Sequence, residues 1–162
     1  MKVITNPDSG AWELAESEEP IARPSDSKPY SNRILVVDDE EQTRKLYSTI
    51  ISQAFPSVEC VFAADGARAV EAFAVNHPRA ILMDIVMPVM DGEEAFYQIE
   101  EFCATNNWRL PHVVFCSGHA PSVGLRNVVA GDAAHCLLQK PVRKLTLVRA
   151  LAKRMQMRPA QG

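Results

Sequence analysis

From Arg33 to Met155 the chain alternates short continuous apolar runs with stretches whose apolar residues recur at helical spacing. Ile34-Leu35-Val36-Val37 leaves neither alternating side polar, the pattern of a strand buried on both faces. Glu40 to Gln53 carries Leu46, Ile50 and Ile51 with Thr43 and Tyr47 at helical intervals, and Pro56 stops it. Val58–Ala63 predicts a second strand and Ala67–Val75 a second helix, closed by Asn76-His77-Pro78. Ala80–Met83 predicts a third strand, followed by a loop with Pro88 and Asp91-Gly92 and a helix over Glu93–Ala104. Val113–Cys116 and Cys136–Gln139 read as strands separated by a short helix over Ser122–Val129. The last helix, Lys144–Met155, presents Leu145, Val148, Leu151, Ala152 and Met155 as its apolar face. Strands that alternate with helices imply one parallel sheet covered on both sides.

Residues 1–32 depart from this pattern. They hold Pro7, Pro20, Pro24 and Pro29 and few apolar residues, with three basic side chains against six acidic ones. The formal charge of the whole chain, −3, therefore resides in this extension. Such a segment buries too little apolar surface to offset its ordering entropy and is expected to be mostly disordered. Gly10–Glu19, with Trp12 and Leu14, is a candidate for a short helix or a docking segment. The expected organisation is an acidic extension (1–32), one domain (33–157) and a tail (158–162).

No apolar run reaches the ~18–20 residues that span a bilayer, and the N-terminus lacks a signal-type apolar stretch. A cytosolic chain with no membrane or nucleic-acid role is expected. Cys60, Cys103, Cys116 and Cys136 form no close pair, so buried free thiols are expected rather than a zinc or redox site. His77, His112 and His135 read as surface or loop residues. Arg143, Lys144, Arg149, Lys153, Arg154 and Arg158 read as a solvated basic side near the C-terminus of the last helix.

In a doubly wound sheet, ligands bind beyond the carboxyl ends of the strands. Those positions hold Asp38-Asp39 after the first strand, Asp84 after the third, Ser117 at the fourth and Lys140-Pro141 after the fifth. Clustered carboxylates raise one another's pKa unless a cation neutralises them. Hard oxygen donors with room for water suit Mg²⁺, with Mn²⁺ as a second candidate. Lys140 and Ser117 would supply a charge and a hydrogen bond to phosphoryl oxygens. An aspartate left as nucleophile would form an acyl phosphate.

The blocks Ile34-Leu35-Val36-Val37-Asp38-Asp39-Glu40, Leu82-Met83-Asp84-Ile85-Val86-Met87-Pro88-Val89-Met90-Asp91-Gly92 and Lys140-Pro141 resemble, in order and separation, those of response-regulator receiver domains. The resemblance covers Arg33 to Met155 and implies a (βα)5 flavodoxin-like fold with a five-stranded parallel sheet in the order 2-1-3-4-5. It implies Asp84 as phosphoacceptor, and a Mg²⁺ site of Asp38, Asp39, Asp84 and the main-chain carbonyl of Val86. Ser117 takes the switch-hydroxyl position, Lys140 the phosphate-binding one, and Pro141 is expected to follow a cis bond. Leu137 stands where the family usually carries the switch aromatic; His135 would replace that ring only if the strand register slipped. Val86 and His119 occupy the positions that flank the path of hydrolytic water. The implied partners are a sensor histidine kinase or histidine phosphotransfer domain, and a downstream protein on the face of the fourth helix, fifth strand and fifth helix. A homodimer is a further expectation.

The competing readings are a phosphohydrolase of the haloacid dehalogenase type and a receiver-like scaffold that is not phosphorylated. The first expects a nucleophile two residues before a second Asp at the end of the first strand, whereas Asp38 and Asp39 are adjacent. The second is kept open by Leu137.

Overall fold

The computed structural model describes residues 3–5, 12–14 and 29–161. Ten elements build the domain: β3 (Ser31–Val37), α1 (Glu41–Ala54), β4 (Glu59–Ala63), α2 (Gly66–Asn76), β5 (Pro78–Asp84), α3 (Gly92–Asn106), β6 (His112–Ser117), α4 (Val123–Gly131), β7 (His135–Gln139) and α5 (Lys144–Met155). They follow two short strands, β1 (Val3–Thr5) and β2 (Trp12–Leu14), which pair antiparallel with each other.

The five domain strands lie side by side as β4-β3-β5-β6-β7, all parallel. Taken in chain order within the domain this is 2-1-3-4-5, the arrangement the receiver-domain resemblance implied. The continuous apolar runs are explained by two separate cores. Leu35, Val37, Ile81, Met83, Val113 and Phe115 face α2, α3 and α4, packing on Phe73, Phe96, Ile99 and Leu125. Ile34, Val36, Ala80, Leu82, Val114 and Cys116 face α1 and α5, packing on Ile51, Leu147 and Leu151. Each fully buried aliphatic side chain contributes about 1.5–3 kcal/mol relative to an exposed one, so both faces of every central strand are committed.

Helix starts are set by local chemistry. Asp65 accepts from the Arg68 N–H (2.8 Å), Asp91 from the Glu94 N–H (2.8 Å) and Ser122 from the Leu125 N–H (3.0 Å). Each such cap contributes about 1 kcal/mol. None of the four cysteines forms a disulfide, and Cys103, Cys116 and Cys136 are buried, as expected of small apolar fillers.

Several expectations are corrected. His77, His112 and His135 are buried rather than at the surface. His77 stacks on Trp108 at 4.4 Å between centroids and meets Phe73 edge-on, and Tyr30 lies between His77 and His112. These rings form an aromatic floor under the N-terminal ends of the strands, which makes an imidazole a packing element. Arg154 is 1% exposed, not part of a solvated face; it donates to the carbonyls of Ala150 (3.1 Å) and His135 (3.4 Å). Leu145 and Leu46 point outward, at 58% and 57% exposure, while Leu147 and Tyr47 are buried. The expected stripes hold at Tyr47, Ile50 and Ile51 in α1 and at Val148, Leu151 and Met155 in α5, but Leu46 and Leu145 fall outside them, because both helices carry apolar residues on neighbouring faces.

Trp12–Leu14 is a strand, not a short helix. The remainder of 1–28, and the expectation of disorder there, falls outside the described residues. The sheet begins at Ser31, whose hydroxyl donates to the carbonyl of Asn76 (2.6 Å). Among the described residues, no helix is long and apolar enough to cross a membrane.

Candidate functional site

The carboxyl ends of β3, β5, β6 and β7 converge on one edge of the sheet. Asp38 and Asp39 follow β3, Asp84 ends β5, Ser117 ends β6, and Lys140 follows β7. Register makes this unavoidable: Val37 pairs with Met83, Asp84 with Cys116, and Ser117 with Gln139. Asp38, Asp39 and Asp84 can each offer a carboxylate oxygen such that all three lie within 4.8 Å of one another.

Asp38 is buried and fully engaged. Its Oδ1 accepts from the Glu40 N–H (2.9 Å), which shapes the turn into α1, and its Oδ2 accepts from Lys140 Nζ (2.9 Å). Lys140 also reaches Asp84 Oδ1 at 3.3 Å, so one ammonium bridges two carboxylates. Burial opposes its charge, but the hydrogen bond to Asp38 and the charge of Asp84 outweigh it, and the Lys140 pKa is raised. Asp84 is pushed up to about 6, first by burial and then by the Asp38 and Asp39 charges, against the lowering effect of Lys140. A carboxyl whose pKa is raised by burial and by neighbouring carboxylates marks a site that favours additional positive charge.

The backbone around Asp84 is pinned. The Ile85 N–H donates to the Cys116 carbonyl (3.2 Å), and the Gly92 N–H donates to the Ile85 carbonyl (2.8 Å). A Cβ on Gly92 would fall 2.1 Å from the Asp84 carbonyl oxygen, so only glycine lets the start of α3 close on the end of β5. Gly66 plays the same part opposite, where a Cβ would meet the Met90 carbonyl at 2.5 Å. The Lys140–Pro141 bond is cis, and the Lys140 N–H donates to the Ser117 carbonyl (2.8 Å).

Ser117 is buried, and its Oγ accepts from the His119 N–H (3.1 Å). His119 and Val86 are exposed at the rim. Leu137 is buried beside Phe115 in the core shared with α4. His135 sits on the same side of β7, but it pairs with Val113, four residues from Ser117, and its Nδ1 accepts from the Val113 N–H (3.1 Å). The register has not slipped, and this ring does not stand in for the absent aromatic.

Arg44 was not anticipated. From α1 it donates to the main-chain carbonyl of Asp38 at 2.6 Å, fixing the loop that carries both aspartates. The only sequence signal was its place six residues after Asp38, one helical turn into α1.

A five-stranded doubly wound sheet gathers an aspartate cluster and a lysine at one edge, the place where such sheets bind ligands. The family described as response regulator receiver domain matches residues 34–152, and the chain belongs to it. Chemotaxis protein CheY of Halobacterium salinarum is 30% identical over 122 residues, covering 75% of this chain and 95% of that protein. Regulatory protein AtoC of Escherichia coli is 44% identical over 68 residues, 42% of this chain and 14% of that protein. Among solved structures, the N-terminal domain of an uncharacterized protein (WS1339) from Wolinella succinogenes is 30% identical with a TM-score of 0.59, covering 76% of this chain and 94% of that one. The domain is thus a signalling module of two-component and chemotaxis response regulators.

Proposed function

We propose that the chain accepts a phosphoryl group on Asp84 from a phosphohistidine donor, with Mg²⁺ held by Asp38, Asp39 and Asp84. The observation that carries this reading is the bridging of Asp38 and Asp84 by Lys140 at the end of β5. In the transfer, an Asp84 carboxylate oxygen attacks phosphorus, a P–O bond forms, and the P–N bond breaks with its electron pair returning to the imidazole. Lys140, already beside Asp84 Oδ1, would neutralise a phosphoryl oxygen, and the Ser117 hydroxyl would donate to another. The three aspartates fit a hard divalent cation by donor type and spacing, with the Val86 carbonyl as a further candidate ligand. Bound there, Mg²⁺ would screen the acidic cluster from the incoming dianion.

Apolar, exposed Val86 cannot orient a hydrolytic water, which favours a persistent phosphoryl group. A kinase or histidine phosphotransfer domain would be the donor, and output would pass through protein contacts. Incubation with acetyl phosphate and Mg²⁺ followed by intact mass tests the assignment. A gain of one phosphoryl group, lost in Asp84→Asn, is expected. No gain under conditions that label another receiver would favour the unphosphorylated scaffold.

A further inference from the structure

The loop after Ser117 is tied at its far end to a different helix. Ser122, the N-cap of α4, places its Oγ 2.8 Å from both carboxylate oxygens of Glu93, in the first turn of α3. Tyr97, one turn further along α3, donates its hydroxyl to Glu93 Oε1 at 3.3 Å. The tie is fitted closely: a Cβ on Gly124 would lie 3.3 Å from both Glu93 Oε1 and the Tyr97 hydroxyl. Burial and the Glu93 charge raise the Tyr97 pKa, so the phenol stays protonated and remains a donor.

Residues 118–121 thus span between two anchors, Ser117 at the phosphoryl site and Ser122 on Glu93. A phosphoryl group on Asp84 would extend past the end of β5, where Ser117 and this loop form one wall. Closing the wall on it draws the loop inward from the Ser117 end and pulls against the Ser122 end.

We propose that Glu93 is a positioning residue: with Ser122 and Tyr97 it forms a latch that holds the 118–122 loop and the start of α4 in the unphosphorylated arrangement, and that is released when the site is filled. The inference rests on Asp84 being the phosphoacceptor. The latch is an energetic brake on activation, set by a carboxylate that accepts two hydroxyl donors. A surface contact of this kind has room to bias the equilibrium by a few-fold rather than by orders of magnitude.

The test is titration of the full chain with beryllofluoride and Mg²⁺, a phosphoryl stand-in, read by the NMR signals of the Ser117–Ser122 amides. Four variants separate the latch from the helix cap. Glu93→Gln weakens the acceptor. Ser122→Asp keeps a capping oxygen for the Leu125 N–H but repels Glu93. Ser122→Asn keeps the cap and can donate to Glu93. Tyr97→Phe removes one donor. Glu93→Gln and Ser122→Asp should bind beryllofluoride about three- to tenfold more tightly, Tyr97→Phe slightly more tightly, and Ser122→Asn like the unaltered chain. Unchanged or weaker binding in both Glu93→Gln and Ser122→Asp would overturn the latch. Failure of the unaltered chain to bind would instead sink the phosphoacceptor reading.

Discussion

Gly92 abuts Asp84 so closely that the first carbon of any side chain would lie 2.1 Å from the Asp84 carbonyl oxygen. Its N–H simultaneously donates to the next carbonyl, that of Ile85 (2.8 Å). Strand β5 and the helix that follows it are therefore locked by backbone alone, and the Asp84 carboxylate projects from a fixed support.

Gly92→Ala cannot be absorbed by a rotamer change, since the obstruction is backbone. A loss of about 2–4 kcal/mol is expected, seen as a lower urea midpoint with an unchanged slope. A loss below ~0.5 kcal/mol would mean that the α3 start shifts freely and does not support Asp84.

The raised pKa of Asp84 has a pH signature. A carboxyl whose folded pKa lies above its unfolded value stabilises the fold fully below about pH 4, and that contribution is lost as pH rises through about 6. In metal-free buffer, Asp84→Asn should therefore melt above the unaltered chain at pH 8, by about 1–3 kcal/mol, and the gap should close between pH 6 and 4. Parallel melting curves across that range would contradict the assignment of the shift to Asp84.

Val89 adopts a φ of 72°, the left-handed region that penalises a β-branched side chain, yet it is 85% exposed and packs on little. Val89→Asn or Val89→Gly relieves the strain without opening a cavity. Either should stabilise by about 0.5–1.5 kcal/mol in thermal unfolding; destabilisation would show that the valine methyls make contacts the fold needs.

Two arginines of α5 should behave oppositely. Arg154→Ala removes a buried guanidinium that donates to Ala150 and His135, and a cost of about 2–4 kcal/mol is expected. Arg149 is exposed, and Arg149→Ala should fall within about 0.5 kcal/mol of the parent. Equal costs in chemical denaturation would return both to the class of solvated charges.

The linear pattern was enough to set the sheet. Runs such as Ile34–Val37 and Val113–Cys116 lack a polar face, so each must be covered twice, and alternation with helices leaves a parallel sheet as the solution. It was also enough to nominate Asp38, Asp39, Asp84, Ser117 and Lys140, because the end of each run is visible in sequence and strand ends in such a sheet share one edge. Side-chain phase was less legible. Leu46 and Tyr47, or Leu145 and Leu147, are equally apolar, and only packing against the sheet decides which turns inward.

Contacts between one element and the next were decided by the tertiary structure. Arg44 reaching the Asp38 carbonyl, Glu93 holding Ser122, and Gly92 closing on Asp84 depend on angles between elements that no spacing encodes. The burial of His77, His112 and Arg154 belongs with them, since a polar side chain goes inside only where neighbours supply rings or carbonyls. Sequence determined which groups could meet, because strand period and strand order are local and topological rules. The distances at which they meet, and hence whether Lys140 bridges Asp38 and Asp84 or Glu93 restrains the loop, come from packing.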